Sequence, residues 1–272
     1  VIPFGRGMYA VDLNIGFLYI AAVSGGTTIP VLMAGWASRN KYALLGAMRA
    51  VAQLIAYEIP QVLSIVGVLL LAGSLSLVSI TQGQRSLWYV VLQPVGFLIF
   101  LLSSMAELER KPFDIPEAES EIVAGYHIEY SGMKFAMFYL VIFFNPFLVS
   151  MIAVALFLGG WEGPLLPGYV WFLLKSTLVL FVIMWLSATV PRLRVDQLMG
   201  FAWKVLVPLS LVNLLLTGLI RALARDLKLP LIPDQLLLFL GANALMIVGT
   251  SLVHLLYAHR GRAQAPASVT AS

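Results

Sequence analysis

The sequence contains no cysteine, and this absence excludes several kinds of chemistry. The chain can form no disulfide, no thiolate zinc site, no cysteine-ligated iron–sulfur cluster and no cysteine nucleophile. It also lacks a phosphate-binding glycine loop, a histidine-rich metal set and a nucleophile–base pair. We therefore expect the chain to bind no cofactor itself and to catalyse no reaction alone.

Charged residues are scarce as well, at 11% of 272 residues, which is about half the share typical of a soluble domain. Hydrophobic residues make up 60%, and the mean hydropathy is +0.93. The apolar residues come in runs of about 20 or more, long enough to cross roughly 30 Å of hydrocarbon as helices. The sequence therefore predicts an all-α fold, a polytopic bundle of transmembrane helices.

Seven spans can be drawn between joints that contain charged or helix-breaking residues. They cover about residues 13–35, 45–73, 87–106, 133–158, 168–190, 203–222 and 235–257. Residues 1–258 then form a single transmembrane domain with an acidic loop at 107–132, and residues 259–272 form a disordered tail. Because the first residue is Val1 rather than methionine, we expect the natural N-terminus to lie upstream.

Lysine and arginine are divided unequally between the two sides of this bundle. One side collects eleven of them, namely Arg39, Lys41, Arg49, Arg110, Lys111, Lys134, Arg192, Arg194, Lys204, Arg260 and Arg262. The other side has five, namely Arg6, Arg85, Arg221, Arg225 and Lys228, and Lys175 lies inside a span. The positive-inside rule puts the acidic loop and the C-terminus in the cytoplasm, or in the matrix of a mitochondrion. The net charge of +4 then reflects orientation in a membrane rather than a nucleic-acid surface.

The acidic loop holds seven of the thirteen carboxylates within 24 residues. They are Glu107, Glu109, Asp114, Glu117, Glu119, Glu121 and Glu129. A solvated loop with a capping box before a helix from Pro116 explains only Asp114 and Glu117. Carboxylates three and four residues apart on that helix repel one another, which favours proton binding by some of them. The carboxylates of the acidic loop therefore suggest a group that holds and passes protons beside the membrane.

Glu58 lies inside the second span, two residues before Pro60, which should kink that helix. A carboxylate at this depth costs a few kcal/mol unless it is paired, hydrated or protonated, so it indicates a functional residue. A glutamate near the interface, bonded to tyrosine or glutamine, is the alternative. Snorkelling explains Lys175 equally well, and His127 is most simply a packing or capping residue.

Five stretches, in order along the chain, resemble the H subunit of respiratory complex I, the NADH-quinone oxidoreductase. The most specific ends at Tyr130 and follows the pattern A-E-x-x-R-x-P-F-D-x-x-E-x-E-x-E-x-x-x-G-Y-x-x-E-Y. The others are Gly35 to Arg49, Tyr57-Glu58, Phe157 to Trp161, and Pro191 to Met199 with Trp203-Lys204. The resemblance extends from about Ile2 to Ile220.

The resemblance implies that the loop helps to form a quinone chamber and that a chain of acids couples quinone reduction to proton translocation. The implied proton-relay residues are Glu58, Glu107, Glu117, Glu119, Glu121 and Glu129. The implied chamber residues are Arg110, Asp114, Glu117 and Glu121, and the implied loop contacts are Arg192, Arg194 and Asp196. Quinone would be the substrate. FMN and iron–sulfur clusters would belong to partner subunits, with peripheral quinone-site and membrane-arm subunits as neighbours in a bacterial inner membrane.

The sequence also departs from the family. Ile142 and Phe143 stand where members usually carry a Glu-Tyr pair, so one acid of the expected relay is absent. Val195 replaces a usual tyrosine, and Pro60 is unusual. Family members normally have a first span and an amphipathic helix before the position that corresponds to Val1. We therefore expect the present sequence alone not to bind quinone normally.

Three other interpretations stay open. A membrane subunit of an energy-converting hydrogenase or formate hydrogenlyase generally matches the acidic loop less fully. A stand-alone secondary transporter would show inverted repeats and broken helices around a midplane site, and the sequence contains no evident repeat. A purely structural anchor would not need Glu58 at depth.

Overall fold

The computed structural model describes residues 1–114, 125–226 and 236–263, with side chains up to residue 250. All regular structure in these ranges is helical, which confirms the predicted all-α class. The helices are α1 (Gly16–Gly25), α2 (Thr28–Ala37), α3 (Lys41–Ala72), α4 (Leu77–Gly83), α5 (Tyr89–Leu92), α6 (Pro94–Glu107), α7 (Gly132–Phe157), α8 (Gly168–Thr189), α9 (Val195–Phe201), α10 (Val207–Asp226) and α11 (Leu236–Ala263). A 3₁₀ turn covers Gly125–His127, and a π-helical segment, Ala202–Leu206, joins α9 to α10.

Within the described residues, five helical segments are long and apolar enough to cross a membrane. They are Gly16–Ala37, Lys41–Ala72, Gly132–Phe157, Gly168–Thr189 and Val195–Asp226. Two shorter apolar helices, Pro94–Glu107 and Leu236–Thr250, coincide with the third and seventh predicted spans. The full count of seven spans stays a prediction. The predicted tail lies largely outside the described residues, and α11 extends to Ala263.

The first predicted span is interrupted between α1 and α2, at Gly26 and Thr27. Pro30 explains the interruption, because it has no N–H to donate to the carbonyl of Gly26 and its ring crowds that carbonyl. Thr27 N–H bonds instead to the carbonyl of Ser24 at 3.0 Å, one residue short of the α-helical pattern. Both linking residues keep right-handed helical dihedrals, with φ of −64° and −68°. The break is therefore a local loss of the hydrogen-bond ladder rather than a turn.

Helix α3 is the central element and packs against α2, α6 and α10. Towards α2 it presents small, fully buried residues, including Ala43 and Ala47. A Cβ on Gly35 of α2 would overlap the Ala47 side chain, so the two backbones approach as closely as small residues permit. The helix runs without a break through Pro60.

The sixth span begins at Val195, eight residues before its predicted start near 203. The Gln197 side chain accepts a hydrogen bond from the Arg194 N–H at 3.3 Å and so closes the first turn. Asp196 lies in that turn, where a negative charge is favourable beside free N–H groups. Asp196 and Gln197, which the sequence assigns to the joint before the sixth span, therefore belong to the first turn of a helix.

Candidate functional site

Four polar residues of α3 lie on one face that points into the bundle, at helical spacing. They are Gln53, Tyr57, Glu58 and Gln61. The buried Gln53 amide donates to the carbonyl of Ala106 at 2.7 Å and to the carbonyl of Phe113 at 2.8 Å. It therefore fixes the end of α6 and the start of the acidic loop to α3.

The start of the loop also contacts the segment before α9. The Tyr57 hydroxyl donates to the carbonyl of Leu198 at 3.0 Å, and its ring lies 5.6 Å from that of Phe113. The Leu193 N–H donates to the carbonyl of Pro112 at 3.2 Å. The segment that carries the three predicted loop contacts therefore reaches the loop through its backbone at Leu193.

The side chains of those three predicted contacts, Arg192, Arg194 and Asp196, are themselves exposed. Their individual roles stay predictions. Arg110 contacts α7, because its guanidinium carbon lies 5.4 Å from the ring centroid of Phe143. Asp114 is the last described residue of the loop start, and Glu117, Glu119 and Glu121 lie outside the described residues.

A cavity of about 790 Å³ opens between α1, α3, the end of α6 and α7. Its wall is mostly apolar, and it carries three carboxylates, those of Glu58, Glu107 and Glu109. Ile142, the position of the missing family acid, lines the same cavity. The volume lies within the range of sites that hold small organic molecules.

Glu58 and Glu107 are close enough to interact electrostatically, although they come from different helices. Gln61 hydrogen-bonds with Glu107, and its amide nitrogen also donates to the Ser104 hydroxyl at 3.2 Å. Glu109 follows α6 with φ of +51°, a left-handed backbone that turns the chain at the cavity edge. The site is thus a group of carboxylates with amide and hydroxyl neighbours in an apolar wall.

Glu129 is not brought together with this group. Its carboxylate accepts a hydrogen bond from Asn40 at 2.8 Å, and Asn40 caps the N-terminus of α3. Glu58 lies eighteen residues further along that helix, which corresponds to about 27 Å. Glu129 therefore lies at the N-terminus of α3, far from Glu58.

His127 is buried among the rings of Tyr126, Phe135 and Tyr139, with centroid distances of 5.2, 5.8 and 6.2 Å. Burial lowers the pKa of its imidazole, because the charged form loses hydration. Gly46 of α3 touches the backbone of Gly125, so the turn that holds His127 lies directly on the helix. These contacts agree with a packing residue.

Lys175 reaches from α8 back to the joint after α7. Its ammonium donates to the carbonyls of Leu158, Gly160 and Glu162 at 2.7, 3.2 and 2.8 Å, and it lies 4.6 Å from the Trp88 ring centroid. Because the Lys175 side chain is buried, carbonyls rather than water surround its ammonium, and snorkelling does not describe its position. In the described parts of the chain, no three His, Asp or Glu side chains are grouped to hold a metal ion.

Sequence reasoning missed Gln53 and Gln61, and it gave Glu109 no role. Gln61 follows Glu58 by three residues, and Gln53 precedes Tyr57 by four, so helical periodicity provided a signal for both glutamines. No such signal exists for Glu109, because its place in the cavity depends on the turn after α6.

Comparisons with known proteins agree with this architecture. A family profile described as NADH dehydrogenase matches residues 1–218. The H subunit of NADH-quinone oxidoreductase from Dehalococcoides mccartyi (strain CBDB1) is 56% identical over 227 residues, which cover 84% of this chain and 64% of the relative. The protein of the same name in Geobacillus kaustophilus is 54% identical over 226 residues, which cover 82% of this chain and 68% of the relative. The chain thus spans less than two thirds of the first relative.

Proposed function

Because the chain belongs to the family of NADH-quinone oxidoreductase H subunits, we propose that it is the membrane subunit that couples quinone reduction to proton translocation. Its substrate is then a quinone, and the electrons come from FMN and iron–sulfur clusters in partner subunits. The neighbours are peripheral quinone-site subunits and membrane-arm subunits of the same complex. This chain's own work is to help form the quinone chamber and to carry protons.

The cavity with its three carboxylates is the observation that carries this proposal. The apolar wall suits a hydrophobic ring or a confined file of water. Glu58 and Glu107 interact across two helices, and neighbouring carboxylates in an apolar wall favour the sharing of a proton between them. The chain lines the cavity at Glu107, Leu108 and Glu109, immediately before Arg110.

The remaining predicted residues complete the proposal. Glu117, Glu119 and Glu121 extend the acids along the loop, and Glu129 holds the loop's far end at Asn40. Arg192 and Arg194, just before α9, and Asp196, in its first turn, support the loop. The charge count of eleven to five supports an orientation with the loop and the C-terminus in the cytoplasm, and the bacterial relatives support an inner-membrane location.

The other interpretations have less support. The relatives are complex I H subunits that match over 84% of the chain, which favours this assignment over a hydrogenase subunit. The break between α1 and α2 is a feature of transporters too, but an inverted repeat does not accompany it in the sequence. A purely structural anchor leaves the pairing of Glu58 with Glu107 unexplained.

Replacement of Glu58 by glutamine tests the proposal. Glu58→Gln keeps the size and polarity of the side chain but removes its exchangeable proton. We expect the complex to assemble and proton translocation in membrane vesicles to fall by about a hundredfold, the lower end for loss of a general acid–base group. Glu162→Gln is the matched control, because Glu162 forms an ion pair with Arg85 at 3.0 Å away from the cavity. Undiminished translocation in Glu58→Gln would contradict the relay role.

A further inference from the structure

The Glu58 carboxylate lies directly against the backbone of Gly25. A Cβ built on Gly25 would overlap Oε1 of Glu58, and the carboxyl carbon and Oε2 would follow at 3.4 and 3.7 Å. No other neighbour falls among the three heavy atoms nearest to that Cβ position. The space that a side chain would occupy at residue 25 is therefore filled by one end of the Glu58 carboxylate.

Gly25 occupies this place because it ends α1 at the helix break. Pro30 removes the hydrogen bond to Gly26, and the Thr28 hydroxyl bonds to the carbonyl of Gly25 at 3.0 Å. The neighbouring residues Ser24 and Thr27 both line the cavity. The broken first span thus presents backbone and hydroxyl groups, rather than an apolar helix side, to the carboxylate.

The opposite side of the cavity is formed by other helices. Glu107 at the end of α6 interacts with Glu58, and Ile142 and Asn145 line the α7 wall. Gly25 therefore limits how far the Glu58 carboxylate can move away from Glu107 and towards α1. A side chain at residue 25 would push the carboxylate into the cavity.

We propose that Gly25 is a positioning residue of the proton-transfer site and that its missing side chain holds the Glu58 carboxylate against the broken first helix. The inference rests on the proposed role of Glu58 in proton transfer and adds the part of the fold that sets its position. Proton transfer needs heavy-atom distances of about 2.6–3.2 Å, directly or through one water, so a displacement of an ångström changes its rate.

Three glycines of the first span give a graded set of substitutions. At Gly25, an added methyl group meets the movable end of one side chain, so the carboxylate shifts while the helices stay in place. At Gly26, it meets only the carbonyls of Val23 and Ala22, at 3.4 and 3.6 Å. At Gly35, it would overlap Ala47 and approach the carbonyl of Ala43 to 2.9 Å, which disturbs the packing of α2 on α3.

The experiment compares Gly25→Ala with Gly26→Ala in the complete complex in membrane vesicles. Assembly, NADH:quinone reductase rate and proton translocation are measured over a range of pH. We expect Gly25→Ala to assemble, to lose about tenfold in proton translocation and to shift the pH profile of translocation. Gly26→Ala should stay within about twofold of the unmodified complex. Equal behaviour of the two variants would overturn the inference.

A second-site change separates positioning from folding. Glu58→Asp shortens the side chain by one methylene, so it makes room for the alanine methyl group. Combined with Gly25→Ala, it should recover at least part of the lost translocation, whereas Glu58→Gln in the same background should recover none. No recovery with the aspartate, or a Gly25→Ala complex that fails to assemble with either side chain, would overturn the positioning role. Full translocation in Glu58→Gln alone would instead overturn the proposed function.

Discussion

Glu58 and Lys175 look alike in the sequence, since each is a charged residue within an apolar span, but their surroundings differ. Three carbonyls and the Trp88 ring surround the Lys175 ammonium, so its charge is compensated by the fold. Glu58 faces a cavity and interacts with a second carboxylate. The first environment gives each ammonium N–H a carbonyl partner, whereas the second places a carboxylate at a cavity beside another acid.

Replacement of Lys175 by methionine should therefore affect stability rather than coupling. Lys175→Met keeps the length of the side chain but leaves the carbonyls of Leu158, Gly160 and Glu162 without their donor. We expect a loss of about 3 kcal/mol in the free energy of unfolding, because hydrogen bonds to a charged group are involved. The measurement is the thermal unfolding midpoint of the purified complex.

Lys175→Arg is the control, because it retains the charge and several donors. The ratio of protons translocated to NADH oxidised should be unchanged in both variants. A lowered ratio at unchanged thermal stability would show that Lys175 belongs to the proton path.

At the scale of single helices, the sequence predicted much of what the structure has. Hydrophobic runs located α3, α7 and α8, because long apolar helices dominate such runs. The break at Gly26 was not predicted, since no charge accompanies it and it depends on a single missing hydrogen bond at Pro30. The start of α9 was missed because Pro191 and the arginines after it are typical of a joint, whereas the Gln197 side chain closes a helical turn there.

Gln53 of helix α3 provides two side-chain hydrogen bonds to the end of α6 and the start of the acidic loop. Gln53→Leu would leave the carbonyls of Ala106 and Phe113 without donors in a buried site. We expect about 1–3 kcal/mol lower stability and a several-fold lower quinone reductase rate, because the loop start loses its attachment to α3. The purified complex can be assayed for both quantities.

Gln84→Leu provides the matched control. Gln84 is equally buried, and its amide donates to the carbonyls of Ala155 and Leu156 at 3.0 and 3.1 Å, away from the loop. It should lower stability by a similar amount and leave the reductase rate per assembled complex unchanged. If both variants lose the same activity, Gln53 acts through stability alone.

The cavity belongs to the whole molecule, because α1, α3, α6 and α7 each contribute part of its wall. The sequence located Glu58 and Glu107 as separate signals and could not show that they line one cavity, since this depends on how α3 packs on α6. Of the predicted relay acids, Glu58 lines the same cavity as Ile142, whereas Glu129 is held at Asn40. Glu109 provides a third carboxylate by a turn that the sequence does not reveal.

Introduction of a carboxylate at Ile142 tests whether the cavity already carries a complete path. Ile142→Glu would add a fourth acid to a cavity of about 790 Å³, which has room for many water molecules. We expect the complex to assemble, because the new carboxylate can be hydrated, and translocation to stay unchanged, because Glu58, Glu107 and Glu109 already provide acids.

Leu140→Glu is the control: Leu140 is 62% exposed on the outside of α7 and does not line the cavity. A carboxylate there would face lipid or another protein of the complex at a cost of about 2–4 kcal/mol, so assembly should fall. Raised translocation in Ile142→Glu would show that the path lacks an acid at this depth, and failed assembly would show that the α7 wall is dry.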